Sequence, residues 1–570
     1  MNEKRWGSFF LILVLALYGA LALGGSARKS VTVDELGHLP SGLLYLETGD
    51  SRFATLNPPL VNVISALPVW GAVPEETLAK FEASDDPFSF WGNGYRFMEE
   101  TQSSYRALME RARIAPIALV ALLGILVFYW TRRLVPDSDR IAGLLAAGLV
   151  LLSPNVIAQA RLVGTDTGTA FFIAVAFLAF RRFLERPQWG SALLAGLALG
   201  AAQLTKFYAL LLYPTFFFIM VFWSWASRET EAIASSKRRA QWWGLLAIGV
   251  MSLLVLNAGY LGMEWGQSLS ALSLQSPAMK DWASGALGHI PLPLPAAYIR
   301  AFDGQWVEVG STMPSVIWGE RFQGGRWDYF IGLLMMKTPI PIMIIFFVSI
   351  FGLMKKVPLP RRESLFLLPY PLLLFLLLSW GDRRQLGLRA LMSATPLMAV
   401  WMSAMLAYTL PRRWLMPSVS ILIIWLGVVS TWAYPDHLAY FNAWVGGSQN
   451  GYRYVSDANL DIGQDLLALS EYLQEADEDR VQLLYFGSVD PGLYGIDYVV
   501  PDPTRLDPGL LAVSVSLYHH RYPTYDHGEL KMVGPVRIPM DPVASIGGSI
   551  HLFRVKDSSD PADASNSLRD

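Results

Sequence analysis

Long apolar stretches, separated by short polar segments, fill residues 6–434 of the chain. A membrane-spanning helix needs about 20 mostly apolar residues, and about eleven stretches satisfy this requirement. The pattern predicts a polytopic α-helical membrane protein. The predicted spans lie near residues 6–25, 110–131, 141–160, 167–184, 188–204, 207–226, 242–262, 329–354, 364–380, 389–410 and 413–434.

The distribution of lysine and arginine predicts the orientation, because cytoplasmic loops are enriched in these residues. With the N-terminus in the cytoplasm, every inner loop carries a basic pair or more. These are Arg132-Arg133, Arg181-Arg182, Lys237-Arg238-Arg239, Lys355-Lys356 with Arg361-Arg362, and Arg412-Arg413. The first stretch also has features of a cleaved signal peptide, but the many spans that follow favour an uncleaved first span. Two long loops, 26–109 and 263–328, and everything after about 435 are then extracytoplasmic.

The segment after residue 434 is polar and lacks a further span. Asp461–Leu473 has helical periodicity, and Val481–Val489, Leu510–Leu517 and Ser545–Val555 have the pattern of strands. We therefore predict a membrane part at 1–434, a small extracytoplasmic α/β domain at 435–556 and a disordered tail at 557–570.

The composition narrows the function. Hydrophobic residues make up 53% of the chain and charged residues 16%, whereas soluble proteins carry roughly a quarter charged residues. The net charge of -2 and the lack of a basic stripe argue against a nucleic-acid partner. The chain has 0 cysteines, which excludes thiol catalysis and disulfides. The 7 histidines have no metal-binding spacing, and a divalent cation such as Mg²⁺ or Mn²⁺ stays open as a cofactor.

An acidic pair, Asp34-Glu35, follows the first predicted span, and His38 stands one helical turn after Asp34. Adjacent acids are common in solvated turns. A carboxylate close to the bilayer is also suited to removing the proton of a hydroxyl that attacks a sugar carbon. On these residues alone, both interpretations stay open.

Three cations, Lys206, Lys337 and Arg389, lie within or beside predicted spans. Long cationic side chains anchor helices at the membrane interface, but cations in spans also mark function, here as counter-charges for a phosphate. Asp166 lies just before the fourth span, where it either caps the helix or binds substrate or metal.

In the tail, Asp457, Asp461 and Asp465 recur every fourth residue, which predicts one helical face, and Asn459 lies among them. Helix capping by Asp457 or Asn459 is the simpler explanation of these residues. All the polar groups singled out, from residue 34 to residue 465, fall on the outer side of a membrane whose orientation was chosen from lysine and arginine alone.

A series of short motifs accompanies Asp34-Glu35 along the chain. They are Asn57-Pro58-Pro59-Leu60, Leu204-Thr205-Lys206-Phe207, Lys337-Thr338-Pro339, Phe441-Asn442, Gly446-Gly447, Asn450-Gly451-Tyr452, Asp457 to Leu466, and Phe486 to Pro491. In this order they resemble bacterial relatives of the protein O-mannosyltransferases and the lipid A aminoarabinose transferases, within the C-type multi-spanning (GT-C) glycosyltransferase superfamily. Asp34-Glu35 sits where that family has an acidic pair, and the similarity extends over nearly the whole chain.

The resemblance implies a GT-C-like fold and an inverting glycosyltransferase of a bacterial inner membrane. It would move a sugar from a polyprenyl-phosphate donor to a hydroxyl of a protein, lipid or wall glycan. Asp34 would be the base, Glu35 would assist it, and Lys206, Arg389 and Lys337 would hold the donor phosphate. The implied substrate-binding residues are His38, Asn57, Asp166, Asn442, Asp457, Asn459, Asp461 and Asp465.

Two departures from the family pattern keep other functions open. Asn57 stands where the family has His, and Arg389-Ala390 replaces an Arg-His pair. A non-catalytic protein that binds the lipid carrier is one alternative. A transporter or flippase for lipid-linked sugars is another, although we find no internal repeat of the kind that transporters show.

Overall fold

The computed structural model describes residues 3–136, 139–226, 231–311, 313–355, 361–503 and 505–556. The predicted disordered tail at 557–570 lies outside the described residues. Helices dominate the part that is described. In chain order they are α1 (Glu3–Ala27), α2 (Glu35–Thr48), α3 (Leu60–Ala66), α4 (Glu75–Leu78), α5 (Ser89–Glu100), α6 (Tyr105–Ala112), α7 (Ile114–Leu134), α8 (Asp139–Leu151), α9 (Pro154–Ala160), α10 (Asp166–Glu185), α11 (Trp189–Gln203), α12 (Leu212–Ala226), α13 (Glu231–Gly259), α14 (Pro277–Ser284), α15 (Ala296–Gly310), α16 (Tyr329–Lys337), α17 (Ile340–Met354), α18 (Arg361–Leu367), α19 (Pro369–Gly381), α20 (Thr395–Thr409), α21 (Arg412–Trp432) and α22 (Leu466–Glu475).

Within the described residues, six helical segments have the length and composition of a membrane span, or eight when each bent helix pair counts as one. All eight overlap spans predicted from the sequence, so the prediction of a polytopic helical membrane protein is confirmed. The predicted spans 188–204, 207–226 and 364–380 contain helices of 15, 15 and 13 residues, below the 18 residues of that criterion.

Proline residues produce the two bent pairs. α8 and α9 meet at 59°, and α16 and α17 at 119°. Ser153 and Thr338 each precede a proline and have extended backbones, because a proline ring disfavours the helical conformation of the residue before it. The second bend places the end of α16, with Lys337, against the segment that follows α21.

The C-terminal region contains most of the strands. In chain order the strands are β1 (Pro314–Ile317), β2 (Glu320–Gln323), β3 (Val481–Leu484), β4 (Tyr498–Val499), β5 (Gly509–Ser514), β6 (Tyr522–Asp526), β7 (Glu529–Val533), β8 (Ala544–Ile546) and β9 (Ile550–Val555).

A five-stranded sheet has the order β4-β3-β5-β9-β8, and β1-β2 and β6-β7 form separate hairpins. β3 is parallel to β4 and β5, whereas β9 is antiparallel to β5 and β8. The predicted α/β character is confirmed. The single strand predicted at Ser545–Val555 is wrong, because Gly547 and Gly548 have positive φ angles and turn the chain between β8 and β9.

The first long loop and the C-terminal region share one hydrophobic core. Leu36 and Leu39 of α2 belong to the same buried cluster as Leu466 and Leu469 of α22 and Leu483 of β3. The backbone is joined as well, since the Ser30 and Val33 amides donate to the carbonyls of Gln464 and Ile462. This packing fixes the segment that carries Asp34 against the tail.

Candidate active site

Asp34 forms an ion pair with Arg389, and the structure brings the two together from distant parts of the chain. Asp34 directly precedes α2. Arg389 lies in a 3₁₀ segment, Leu388–Ala394, that leads into α20. The side chains are 25% and 20% exposed. A partly exposed acid and a partly exposed cation are therefore both accessible to a ligand.

Glu35, the adjacent acid, is completely buried and faces away from solvent. Its Oε1 accepts from Arg113 Nε at 2.7 Å and from the Val163 amide at 2.9 Å. Its Oε2 accepts from Arg113 Nη2 at 2.5 Å and from the Thr32 amide and hydroxyl at 3.0 Å each. The remaining Arg113 donors bind carbonyls of residues 26–30. Glu35 thus holds the chain on either side of Asp34 and has no contact with solvent.

Lys206 and Asp166 form a second partly exposed pair, with Nζ 2.6 Å from Oδ1. Asp166 is the first residue of α10, whose N-cap is Thr165. The charges of both members act on His38. Burial and the positive charge of Lys206 lower the pKa of His38 to about 4. The neutral ring binds Asn62, with Nδ1 3.1 Å from Oδ1.

Lys337 is buried, and its ammonium has a carbonyl partner for each of its three donors. Its ammonium donates to the carbonyls of Leu438 at 2.8 Å and Tyr440 at 3.1 Å, and to the carbonyl of Asn459. It also lies 4.3 Å from the centre of the Phe441 ring. These contacts account for all three donors, so the geometry favours a role in bracing the bend after α16 over phosphate binding.

Asn442 also binds that bend. Its Nδ2 donates to the carbonyls of Met335 at 2.6 Å and Thr338 at 2.9 Å, and its Oδ1 accepts from the Trp444 amide at 3.1 Å. The side chain of Asn442 is buried. Asn57 is also buried, just before α3.

The prediction that Asp457, Asp461 and Asp465 share a helical face is wrong. Asp457 begins a 3₁₀ turn and has a φ of 59°, whereas α22 begins only at Leu466. A helix would have aligned three like charges in a buried region, which the turn avoids.

Each acid of this segment has its own surroundings. Asp457 accepts from the Tyr522 hydroxyl at 3.0 Å, and partial burial raises its pKa while the charge of Arg389 opposes that rise. Burial raises the pKa of Asp461 to about 8. Asp465 pairs with Lys29, which also pairs with Asp436. Of the three, Asp457 is the one whose charge acts on Arg389.

Asn459 is buried, and its side chain contacts the Leu388 amide rather than solvent. Across the described residues, no group of three or more His, Cys, Asp or Glu side chains converges in a way that could hold a metal ion.

Three further residues of this site were not among those predicted from the sequence. Arg113 neutralises Glu35, and its position inside a predicted span at 110–131 was the available signal. Asn62 binds His38, and nothing in its sequence context marked it. Asp382 accepts from the Arg384 amide at 2.9 Å, and burial raises its pKa while the charge of Lys206 opposes that rise.

Residues 87–265 match the family model of the dolichyl-phosphate-mannose-protein mannosyltransferases. The matched range includes Arg113, Asp166 and Lys206 but not Asp34 or Arg389. The resemblance to glycosyltransferases is thus confirmed over this part of the chain. A search of the curated proteins finds no match.

Solved structures that are similar to this chain include a bacterial ArnT, the archaeal oligosaccharyltransferase AglB and a protein O-mannosyltransferase complex. ArnT from Cupriavidus metallidurans, bound to undecaprenyl phosphate, has 12% identity and a TM-score of 0.49, over 97% of this chain and 98% of that chain. AglB from Archaeoglobus fulgidus has 13% identity and a TM-score of 0.44, over 75% and 56%. The Pmt1-Pmt2 complex of S. cerevisiae has 17% identity and a TM-score of 0.34, over 47% and 36%.

These findings define the class of protein. It is a multi-pass helical membrane protein in which one segment, 87–265, matches a family of glycosyltransferases.

Proposed function

We propose that the protein is an inverting glycosyltransferase that moves a sugar from a polyprenyl-phosphate donor to an extracytoplasmic hydroxyl. The observation that carries the proposal is the partly exposed Asp34–Arg389 ion pair. It combines a base with a phosphate-binding cation at one point. The family match over residues 87–265 supports the same reaction class.

Arg389 would have two successive partners. Without donor it pairs with Asp34. When a donor phosphate binds, the guanidinium turns to the phosphate oxygens, which match its planar donors, and the Asp34 carboxylate becomes free to accept a proton. Donor binding would thereby expose the base only when there is a sugar to transfer.

The transfer itself needs one base and a stabilised leaving group. Asp34 takes the proton of the acceptor hydroxyl while the oxygen forms a bond to the anomeric carbon. The bond from that carbon to the phosphate oxygen breaks, and its electron pair leaves with polyprenyl phosphate. Arg389, with Lys206 as a second cation, stabilises the charge that grows on this phosphate. Glu35 acts as a positioning residue that fixes the chain around Asp34.

The test uses the full-length protein reconstituted in lipid with a labelled polyprenyl-phosphate sugar and membrane extract as the source of acceptors. We expect sugar transfer and release of polyprenyl phosphate in equal amounts, both abolished in Asp34→Asn. Movement of label across the bilayer without release of polyprenyl phosphate would identify a flippase. Donor binding with neither outcome would identify a non-catalytic carrier protein.

A further inference from the structure

The short segment before Arg389 is held in an unusual conformation by a residue of the tail. Gly387 has a φ of 128°, a value that favours glycine. The next amide, that of Leu388, donates to Asn459 Oδ1 at 3.0 Å. A Cβ on Gly387 would lie 3.1 Å from the same oxygen. Asn459 Oδ1 therefore binds the Leu388 amide and lies beside Gly387, and these are the two residues that precede Arg389.

Two of the remaining polar contacts of Asn459 reach the membrane part, and one stays within the tail. Its Nδ2 donates to the Tyr329 hydroxyl at 3.0 Å and to the Ser456 carbonyl at 3.3 Å. Its carbonyl accepts from the buried ammonium of Lys337. An asparagine suits this position because the side chain must accept from one backbone amide and donate to a hydroxyl at the same time. The contacts leave Asn459 one position and one orientation.

We propose that Asn459 is a positioning residue that sets the place of Arg389, so that the guanidinium reaches both Asp34 and a donor phosphate. The proposal rests on the proposed function, and it replaces substrate contact as the role of Asn459. Lys337 fixes Asn459, Asn459 fixes Leu388, and Leu388 fixes the start of the 3₁₀ segment that carries Arg389. The tail thereby controls donor binding without touching the donor.

The first test is a double-mutant comparison in the reconstituted protein, with kcat and the donor KM measured separately. We expect Asn459→Ala to raise the donor KM about 10-fold, since it removes the partly buried hydrogen bond that the Leu388 amide donates. In an Arg389→Ala background, Asn459→Ala should raise the donor KM less than about 2-fold, because the guanidinium that Asn459 positions is already absent. Equal losses in both backgrounds would overturn the proposal, as would an unchanged donor KM in Asn459→Ala.

A glycine pair keeps the proposal testable should Asn459→Ala fail to fold. Gly387→Ala pushes against Asn459 Oδ1 without removing any hydrogen-bonding group, and we expect it to raise the donor KM as well. The matched control is Gly509→Ala, where φ is 131° and the backbone is strained in the same way, but an added Cβ meets nothing within 4 Å. Equal donor KM values in the two variants would contradict the proposal. Tyr329→Phe, which leaves the Leu388 bond in place, should change the donor KM less than Asn459→Ala.

The failure of the proposed function would look different. In that case the wild-type protein releases no polyprenyl phosphate and no KM is measurable. If the wild type is active but changes at Asn459 and Gly387 leave the donor KM unchanged, then only the positioning role is refuted.

Discussion

Two adjacent carboxylates pair with two arginines in this protein, and the pairs differ in nearly every other respect. Asp34 and Arg389 are 25% and 20% exposed, whereas Glu35 and Arg113 are 0% and 1% exposed. Glu35 accepts five hydrogen bonds and Arg113 uses its remaining donors on backbone carbonyls. For Asp34, Arg389 is the side-chain partner. The difference in burial means that Glu35 can only stabilise the fold, whereas Asp34 is accessible to a substrate.

The largest expected effect is on turnover. We expect Asp34→Asn to lower kcat by about 10²–10⁴-fold, the usual contribution of a general base, because the amide cannot accept the acceptor's proton. The thermal unfolding temperature in detergent should stay close to that of the wild type, since a single ion pair that solvent reaches adds little stability. A strong loss of stability in this variant would place Asp34 in the same structural role as Glu35.

The complementary change is Glu35→Gln. It leaves the Arg113 charge buried without its counter-charge, so we expect a loss of about 3–5 kcal/mol in the free energy of unfolding. Denaturant unfolding in detergent measures this loss, and Asp34→Asn is the matched control. Per folded molecule, donor turnover should fall much less than in Asp34→Asn. Normal stability with abolished turnover would instead mean that Glu35, and not Asp34, is the carboxylate that acts as the base.

The pH dependence of the stability tests the role of His38 independently of Asp34 and Glu35. Its pKa is about 4 in the folded protein and 6.5 when exposed, so the stability associated with the neutral ring is complete above pH 6.5. That stability falls as the pH drops from 6.5 towards 4, because the unfolded chain binds the proton first. His38→Gln should remove this part of the loss, which reaches about 3 kcal/mol at low pH. The free energy of unfolding, measured from pH 7 to pH 4, checks this prediction. The same pH dependence in the wild type and in His38→Gln would contradict it.

The smallest expected effect is that of Arg389→Lys. The charge is retained but the planar, two-pronged contact with phosphate is lost, so we expect about a 10-fold decrease in kcat/KM and no change in stability. Arg113→Lys is the matched control for the buried pair. It should lower stability with a smaller effect on kcat/KM, because lysine cannot replace bonds to Glu35 and to three carbonyls at once. The same pattern from both variants would mean that the two pairs do not differ in role.

Much of the fold followed from local patterns. The positions of the spans, the strands β3 and β5 and the helix α22 are properties of short segments, and periodicity predicts them. The predicted helix through Asp457, Asp461 and Asp465 failed for a reason that periodicity does not contain. The spacing of these acids does not indicate how deeply each is buried. In the fold each acid lies among different partners.

The sequence by itself determined that the chain crosses a membrane several times and that Asp34, Lys206 and Arg389 stand beside apolar segments. It also carried the motifs that resemble glycosyltransferases. Only the tertiary structure decided which acid is accessible to solvent and which cations have all their donors bound within the protein. Arg113 is 78 residues from Glu35, Arg389 is 355 residues from Asp34, and the carbonyls around Lys337 are more than 100 residues away. The physical reason is that burial and pairing arise from packing between distant segments, which no local pattern records.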